Sequence, residues 1–158
     1  MLSSKLIQLI EDHSEQITAR VLDKIRKDPR LVHVVRLPET DLRQRAQEIL
    51  KNLGHWLAAS QEEELARHCE RLGRLRFAED IPLHEAVLAR FLIKDEMIEF
   101  VRDQGLGQTH MDLYAEEELE HRVGRFFDRM IYHVVRGYEA AMRESLPGAR
   151  AQAARHKT

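Results

Sequence analysis

A single cysteine, Cys69, stands in 158 residues. One thiol excludes an intramolecular disulfide and every multi-cysteine metal site. Turn-formers are scarce as well. Seven glycines and four prolines leave the chain few places to reverse, so few, long elements are expected. Unbroken apolar runs long enough for a membrane span are missing. The opening Met1-Leu2-Ser3-Ser4-Lys5 leads into mixed apolar and polar residues rather than the apolar stretch of a secretory leader, so no membrane association and a cytoplasmic location are expected. An excess of one charge sign is also lacking. The 25 basic and 27 acidic residues are interleaved and net to -2, which argues against a nucleic-acid partner.

What is present is charge and apolar periodicity together. Charged residues make up 33% and hydrophobic residues 43%, the balance of amphipathic helices with one wet face. Five helices follow from the spacing. The first covers about Leu2 to Lys27, with Leu2, Leu6, Ile10, Ile17, Val21 and Ile25 on one face, and ends at Asp28-Pro29. Residues Leu31 to Val35 read as an extended, buried connector. The second helix starts at Pro38-Glu39 and carries the stripe Leu42, Ala46, Ile49, Leu50, Leu53, Trp56, Leu57. Ser60 and Glu63 read as a capping box for the third, which bears Leu65, Cys69, Leu72 and Leu75. Pro82 opens the fourth. Its residues Leu83 to Ile93 are apolar on nearly every side, the pattern of a central buried helix. The fifth runs from about His110 to Ser145, where Pro147-Gly148 follows. The expected fold class is all-α, a bundle of about five long helices; a globin-like arrangement of the same helices stays open. One domain over residues 1–145 is expected, with residues 146–158 as a flexible, basic C-terminal tail.

Nine histidines invite a metal or haem reading. A di-iron bundle needs two Glu-x-x-His motifs. Glu118-Leu119-Glu120-His121 supplies one, and its histidine faces away from the apolar stripe, so no metal site is expected. His13 lies on the apolar face of the first helix among Leu6, Leu9, Ile10 and Ile17, where it reads as a core imidazole bonded to a carbonyl or as a ligand contact. His84 shares a face with Leu88 and Phe91, and His133 flanks Phe126 and Met130. A ligand pocket between the first, fourth and fifth helices would draw on His13, His84, Phe91, Phe126, Phe127 and Met130. No attachment motif accompanies a haem reading, and no cofactor is expected. His55-Trp56-Leu57-Ala58-Ala59-Ser60 loosely resembles the phosphoacceptor segment of histidine phosphotransfer domains. His55 would be the acceptor, with alanines replacing that pattern's lysine and glycine. Phosphate loops, nucleophile elbows and clustered carboxylates are absent, and Cys69 follows His68 without forming a catalytic pair, so no enzyme activity is expected.

The layout resembles the N-terminal domain of RsbRD-type co-antagonist proteins, a domain that also precedes some bacterial histidine kinases. The resemblance rests on Ile17-Thr18-Ala19-Arg20-Val21-Leu22, the Asp28-Pro29 break, Leu72-Gly73-Arg74-Leu75-Arg76-Phe77-Ala78 before Ile81-Pro82-Leu83, and Phe126-Phe127-Asp128 with Tyr138. It covers roughly residues 4–142 and implies a bacterial signal-input domain, with a protein partner or output domain downstream and a role in stress response. Nothing after Tyr138 is long enough for such an output domain. The resulting expectation is a sensory or regulatory domain that acts by binding a small molecule or a protein, with histidine phosphotransfer and haem or metal sensing as alternatives. A homodimer is expected because Tyr132 and Val135 fall beyond the main stripe of the fifth helix.

Overall fold

The structure, a computed structural model, describes residues 2–104, 109–148 and 155. The described residues contain seven α-helices: α1 (Leu2–Asp12), α2 (Ser14–Lys27), α3 (Glu39–Leu50), α4 (Leu53–Leu57), α5 (Glu62–Ala78), α6 (Leu83–Asp103) and α7 (His110–Glu144). Among them there is no strand. The all-helical class therefore stands, but five long helices do not describe it. Two of the expected five are each broken once.

Both breaks have a local cause. At His13 the backbone leaves the helical region (φ -108, ψ 21). Its ring Nδ1 lies 2.9 Å from the Leu9 carbonyl, and the ring packs on Phe100 with centroids 5.3 Å apart. A side chain that bonds its own preceding turn competes with the helical ladder. The second break falls at Asn52 (φ -118, ψ 27). There the Glu48 carbonyl accepts from Asn52 Nδ2 at 3.3 Å and from Trp56 Nε1 at 3.0 Å.

Two other expectations fail. Residues 31–35 are not extended. Leu31 and Val34 are buried at a spacing of three, Val32 and Val35 face outward, and Val34–Arg36 form a 3-10 turn. Coiling lets the chain satisfy its own backbone groups without a neighbouring strand: Val35 N–H donates to Leu31 O and Leu37 N–H to Val34 O. The Ser60 capping box is also absent. Ser60 sits in a 3-10 turn (Ala59–Gln61), and α5 starts after Gln61 with no side-chain cap. A side-chain cap forms at α7, where the Thr109 hydroxyl accepts from Asp112 N–H at 3.1 Å.

Side-chain pairs fix the directions of the helices. Thr18 meets Gln47 and Arg26 meets Glu39, so α2 and α3 are antiparallel. Arg20 reaches Asp103 and Lys24 reaches Glu96 and Glu99, so α2 and α6 are antiparallel too. The most extensive pairing joins α5 to α7, which run parallel: Glu62 lies against His133, Glu70 against Arg136 and Arg74 against Glu144. Two glycines bring these backbones together. A Cβ on Gly73 would lie 2.0 Å from Val134 O, and one on Gly137 would lie 2.1 Å from Glu70 O. Phe77 stacks edge-on against Tyr138, whose hydroxyl donates to Ile81 O at 2.7 Å and locks the α5–α6 turn.

The core joins the expected stripes, from Ile10, Ile17 and Val21 through Leu50 and Leu53 to Phe126, Phe127 and Val134. The first half of α6 departs from expectation. It is not buried all round: Phe91 is 40% exposed and Leu88 only half-buried, whereas Glu85 and Arg90 point inward. Glu85 accepts from the His33 and Val34 backbone N–H groups and from the His33 ring, which pins the 31–36 turn to α6. The tail assigned to residues 146–158 falls mostly outside the described residues.

Candidate functional site

The six pocket candidates do not converge. His13 is half-buried against Phe100, and Phe127 lies wholly in the core, edge-on to Phe126. His84 and Phe91 line an open depression on the outer face of α6 with Arg30, Leu83, Val87 and Leu88. Phe126 and Met130 line a different, internal cavity. His55 is exposed, as a phosphoacceptor must be, but its Nε2 lies 3.1 Å from a Glu64 carboxylate oxygen. A phosphoryl group placed there would meet like charge. Among the described residues, no three His, Cys, Asp or Glu side chains gather as a metal site.

The internal cavity occupies about 50 Å³. That is room for a few waters or a small polar head, and far too little for a porphyrin. Its walls come from six helices: Val21 and Ile25 of α2, Ala46 and Ile49 of α3, Trp56 of α4, Cys69 of α5, Arg90 and Ile93 of α6, and Met130 of α7. It adjoins a surface cleft of about 280 Å³ through shared residues Arg45, His68 and Leu72, with Arg71 and Leu75 on the cleft's outer side. Trp56 stacks on His68 at this junction, with ring centroids 5.4 Å apart.

The polar groups around the cavity are unevenly matched. Glu48 serves Arg45 at 3.4 Å and His68 at 3.5 Å, and Glu79 serves Arg76 at 2.7 Å. Arg90 has no carboxylate among the described residues. It is 7% exposed, and the hydrogen bond that it makes runs from Nη1 to Ala86 O, one turn back, at 2.8 Å. Its Nε–H is buried without a partner. Burial pulls the guanidinium down to about 10, with Arg76 and Arg45 adding repulsion, yet it is still charged at neutral pH. The neighbouring thiol supplies no counter-charge, because burial pushes Cys69 up to about 12. Burial is also the chief cause that lowers the His68 pKa, with Arg71, Arg45 and Arg90 acting the same way against the pull of Glu48, which favours the neutral ring. His68 and Cys69 both line the cavity, but among the described residues no hydrogen bond joins them, and a protonated thiol is a poor nucleophile.

Sequence reasoning passed over Arg90. The signal was there: Arg90 lies four residues after Ala86 and three before Ile93, on the register of the core face. A charged residue in an otherwise apolar segment ordinarily snorkels to water. Here the surrounding helices close over it.

The sequence profile of one family, the RsbT co-antagonist protein rsbRD N-terminal domain, matches residues 15–153. The match leaves out α1, which lies inside the span suggested by the resemblance, and extends beyond residue 142. The residues that carry the resemblance around Gly73 and Tyr138 are those that clamp α5, α6 and α7. No curated protein sequence and no solved structure matches the chain.

Proposed function

Because the chain belongs to the RsbT co-antagonist protein rsbRD N-terminal domain family, a family of regulatory domains in stress signalling, we propose that it is a non-catalytic input module whose cavity is its sensing site. The observation that carries this reading is the make-up of the cavity wall. Six helices, α2 to α7, each contribute side chains to one small space. An occupant held there contacts all of them at once, so it has the differential contacts needed to favour one packing over another. The clamped α5–α7 pair provides a rigid reference against which α2, α3 and α6 can shift.

The chemistry of the wall supports binding over catalysis. Its thiol is protonated, its histidine is tied to Glu48, and the remaining lining is chiefly aliphatic. No helix among the described residues is long and apolar enough to cross a membrane, in keeping with a cytoplasmic module. A protein partner or output domain would read the packing. A second copy of the chain is the other partner in this proposal, docked along α7, where Tyr132 is exposed beneath Arg136. Light scattering that gives only a monomer mass at high micromolar concentration would remove the dimer.

Filling the cavity tests the reading. Ala46 is buried in its wall, and Ala46→Val adds two methyl groups beside the cavity. The variant is expected to fold with unchanged helix content and to leave the cells' stress response insensitive to its stimulus. A folded variant with a fully normal response would overturn the proposal.

A further inference from the structure

The chemical class of the occupant can be read from Arg90, the buried charge without an ionic partner among the described residues, an inference that rests on the cavity being the input site. We infer that the cavity binds a monocarboxylate with a short apolar chain, its carboxylate held by the Nε edge of Arg90. Arg45 and Arg76 already have carboxylate partners, whereas Arg90 lines the same mostly apolar space and its buried Nε–H has no partner among the described residues. One uncompensated cation calls for one negative charge. A carboxylate matches the planar guanidinium edge with two parallel hydrogen bonds. A phosphate dianion would bring a second charge and further acceptor oxygens, and the cavity's own lining offers no second cation without a carboxylate partner among the described residues.

Size and shape set the rest of the ligand. The volume of about 50 Å³ takes the head group and little more. The chain would then run past Trp56, His68 and Leu72 into the adjoining cleft of about 280 Å³. Arg71 at that cleft places a positive charge at its mouth, which favours entry of an anion. Among the described residues no side chain supplies an alternative anion to Arg90. Glu48 is held by Arg45 and His68, and Cys69 is a neutral thiol.

The test uses the full chain with acetate, butyrate, hexanoate and hexanamide as probes. Trp56 is the only tryptophan and lines the cavity, so its fluorescence reports occupancy directly. Affinity is expected to rise about fourfold per methylene from acetate to hexanoate. Hexanamide, equal in shape and uncharged, is expected to bind about tenfold more weakly or worse. At about a hundredfold excess over its Kd, hexanoate should raise the melting temperature by about 5–10 °C. Arg90→Met should fold, melt no lower than the parent chain and lose the preference for acid over amide. Arg90→Lys keeps the charge without the planar fork and should bind weakly.

Equal binding of acid and amide to the parent chain overturns the inference, as does failure of every acid to bind at high millimolar concentration, which would leave only water beside Arg90. The acid-against-amide comparison needs no variant, so misfolding of Arg90→Met leaves it decisive. Binding of hexanoate to the parent chain, with an unaltered cellular stress response in folded Arg90→Met, would keep the anion site and remove the regulatory reading instead.

Discussion

Replacing Gly137 by alanine should destabilise the domain, while the same replacement at Gly124, also in α7, should stabilise it. At Gly137 the new Cβ would lie 2.1 Å from Glu70 O and 2.7 Å from two further backbone atoms of Glu70. Ordinary contact begins at 3.4 Å, so α5 and α7 would have to part by about 1.3 Å. No side chain can swing away to absorb the overlap, because every atom struck belongs to a helix backbone. Overpacking of this kind costs about 1–3 kcal/mol, and the upper end applies. Alanine recovers about 1 kcal/mol of helix propensity. The net loss is about 2 kcal/mol, or roughly 4–8 °C in melting temperature for a domain of this size. At Gly124 a Cβ meets nothing within 4 Å, so only the propensity gain of about 0.5–1 kcal/mol remains. Thermal and urea unfolding followed by helical circular dichroism would give both values. Gly73→Ala should resemble Gly137→Ala, and the double variant should lose less than the two single losses together, because one separation of the helices relieves both contacts. Equal stability of Gly137→Ala and Gly124→Ala would refute the close parallel approach of α5 and α7.

Three further outcomes follow from buried polar groups. Glu85→Ala strands the His33 and Val34 N–H groups and should cost about 2–5 kcal/mol in urea unfolding. For the intact Glu85, burial raises its pKa, but hydrogen bonds from His33 and Val34 outweigh that and hold it below 4.5. Its stabilisation is therefore complete above pH 4.5 and fades as the pH falls through the lower folded value. A parent chain that lost no more stability than Glu85→Gln between pH 5 and pH 3 would contradict that sign. Cys69, a buried thiol pushed up to about 12, should resist a thiol-specific reagent in the native chain at pH 8 and react at once in denaturant. Tyr138→Phe removes the bond to Ile81 O and should cost about 0.5–1.5 kcal/mol in thermal unfolding, with helix content unchanged.

Periodicity made most of the framework readable. The stripe Ile10, Ile17, Val21, Ile25 and the stripe Leu119, Val123, Phe126, Met130 are buried as spaced, and α7 ends within a residue of the expected position. Its limits appear where a side chain bonds backbone locally. His13 and Asn52 are tolerable inside helices, and at each break side chains bond a carbonyl of the preceding turn: the His13 ring at Leu9 O, beside the ladder bond from His13 N–H, and two donors on Glu48 O. The pocket candidates illustrate a different limit. A stripe shows which face a residue occupies but not which helix covers that face. His84 and Phe91 consequently line a separate depression, with no lining residue in common with the cavity that takes Phe126 and Met130. Arg90 was the least legible of all, since whether a guanidinium snorkels or is enclosed depends on α3 and α5, which are distant in sequence.

Hydrogen exchange on the full chain, with and without saturating hexanoate, addresses most directly whether filling the cavity biases the packing of the helices around it. Slower exchange is predicted in the amides of α3 and in the Arg90–Phe100 half of α6, with little change in the α5–α7 contact around Gly73 and Gly137. Identical exchange in α3 and α6, while Trp56 reports a filled cavity, would contradict the account.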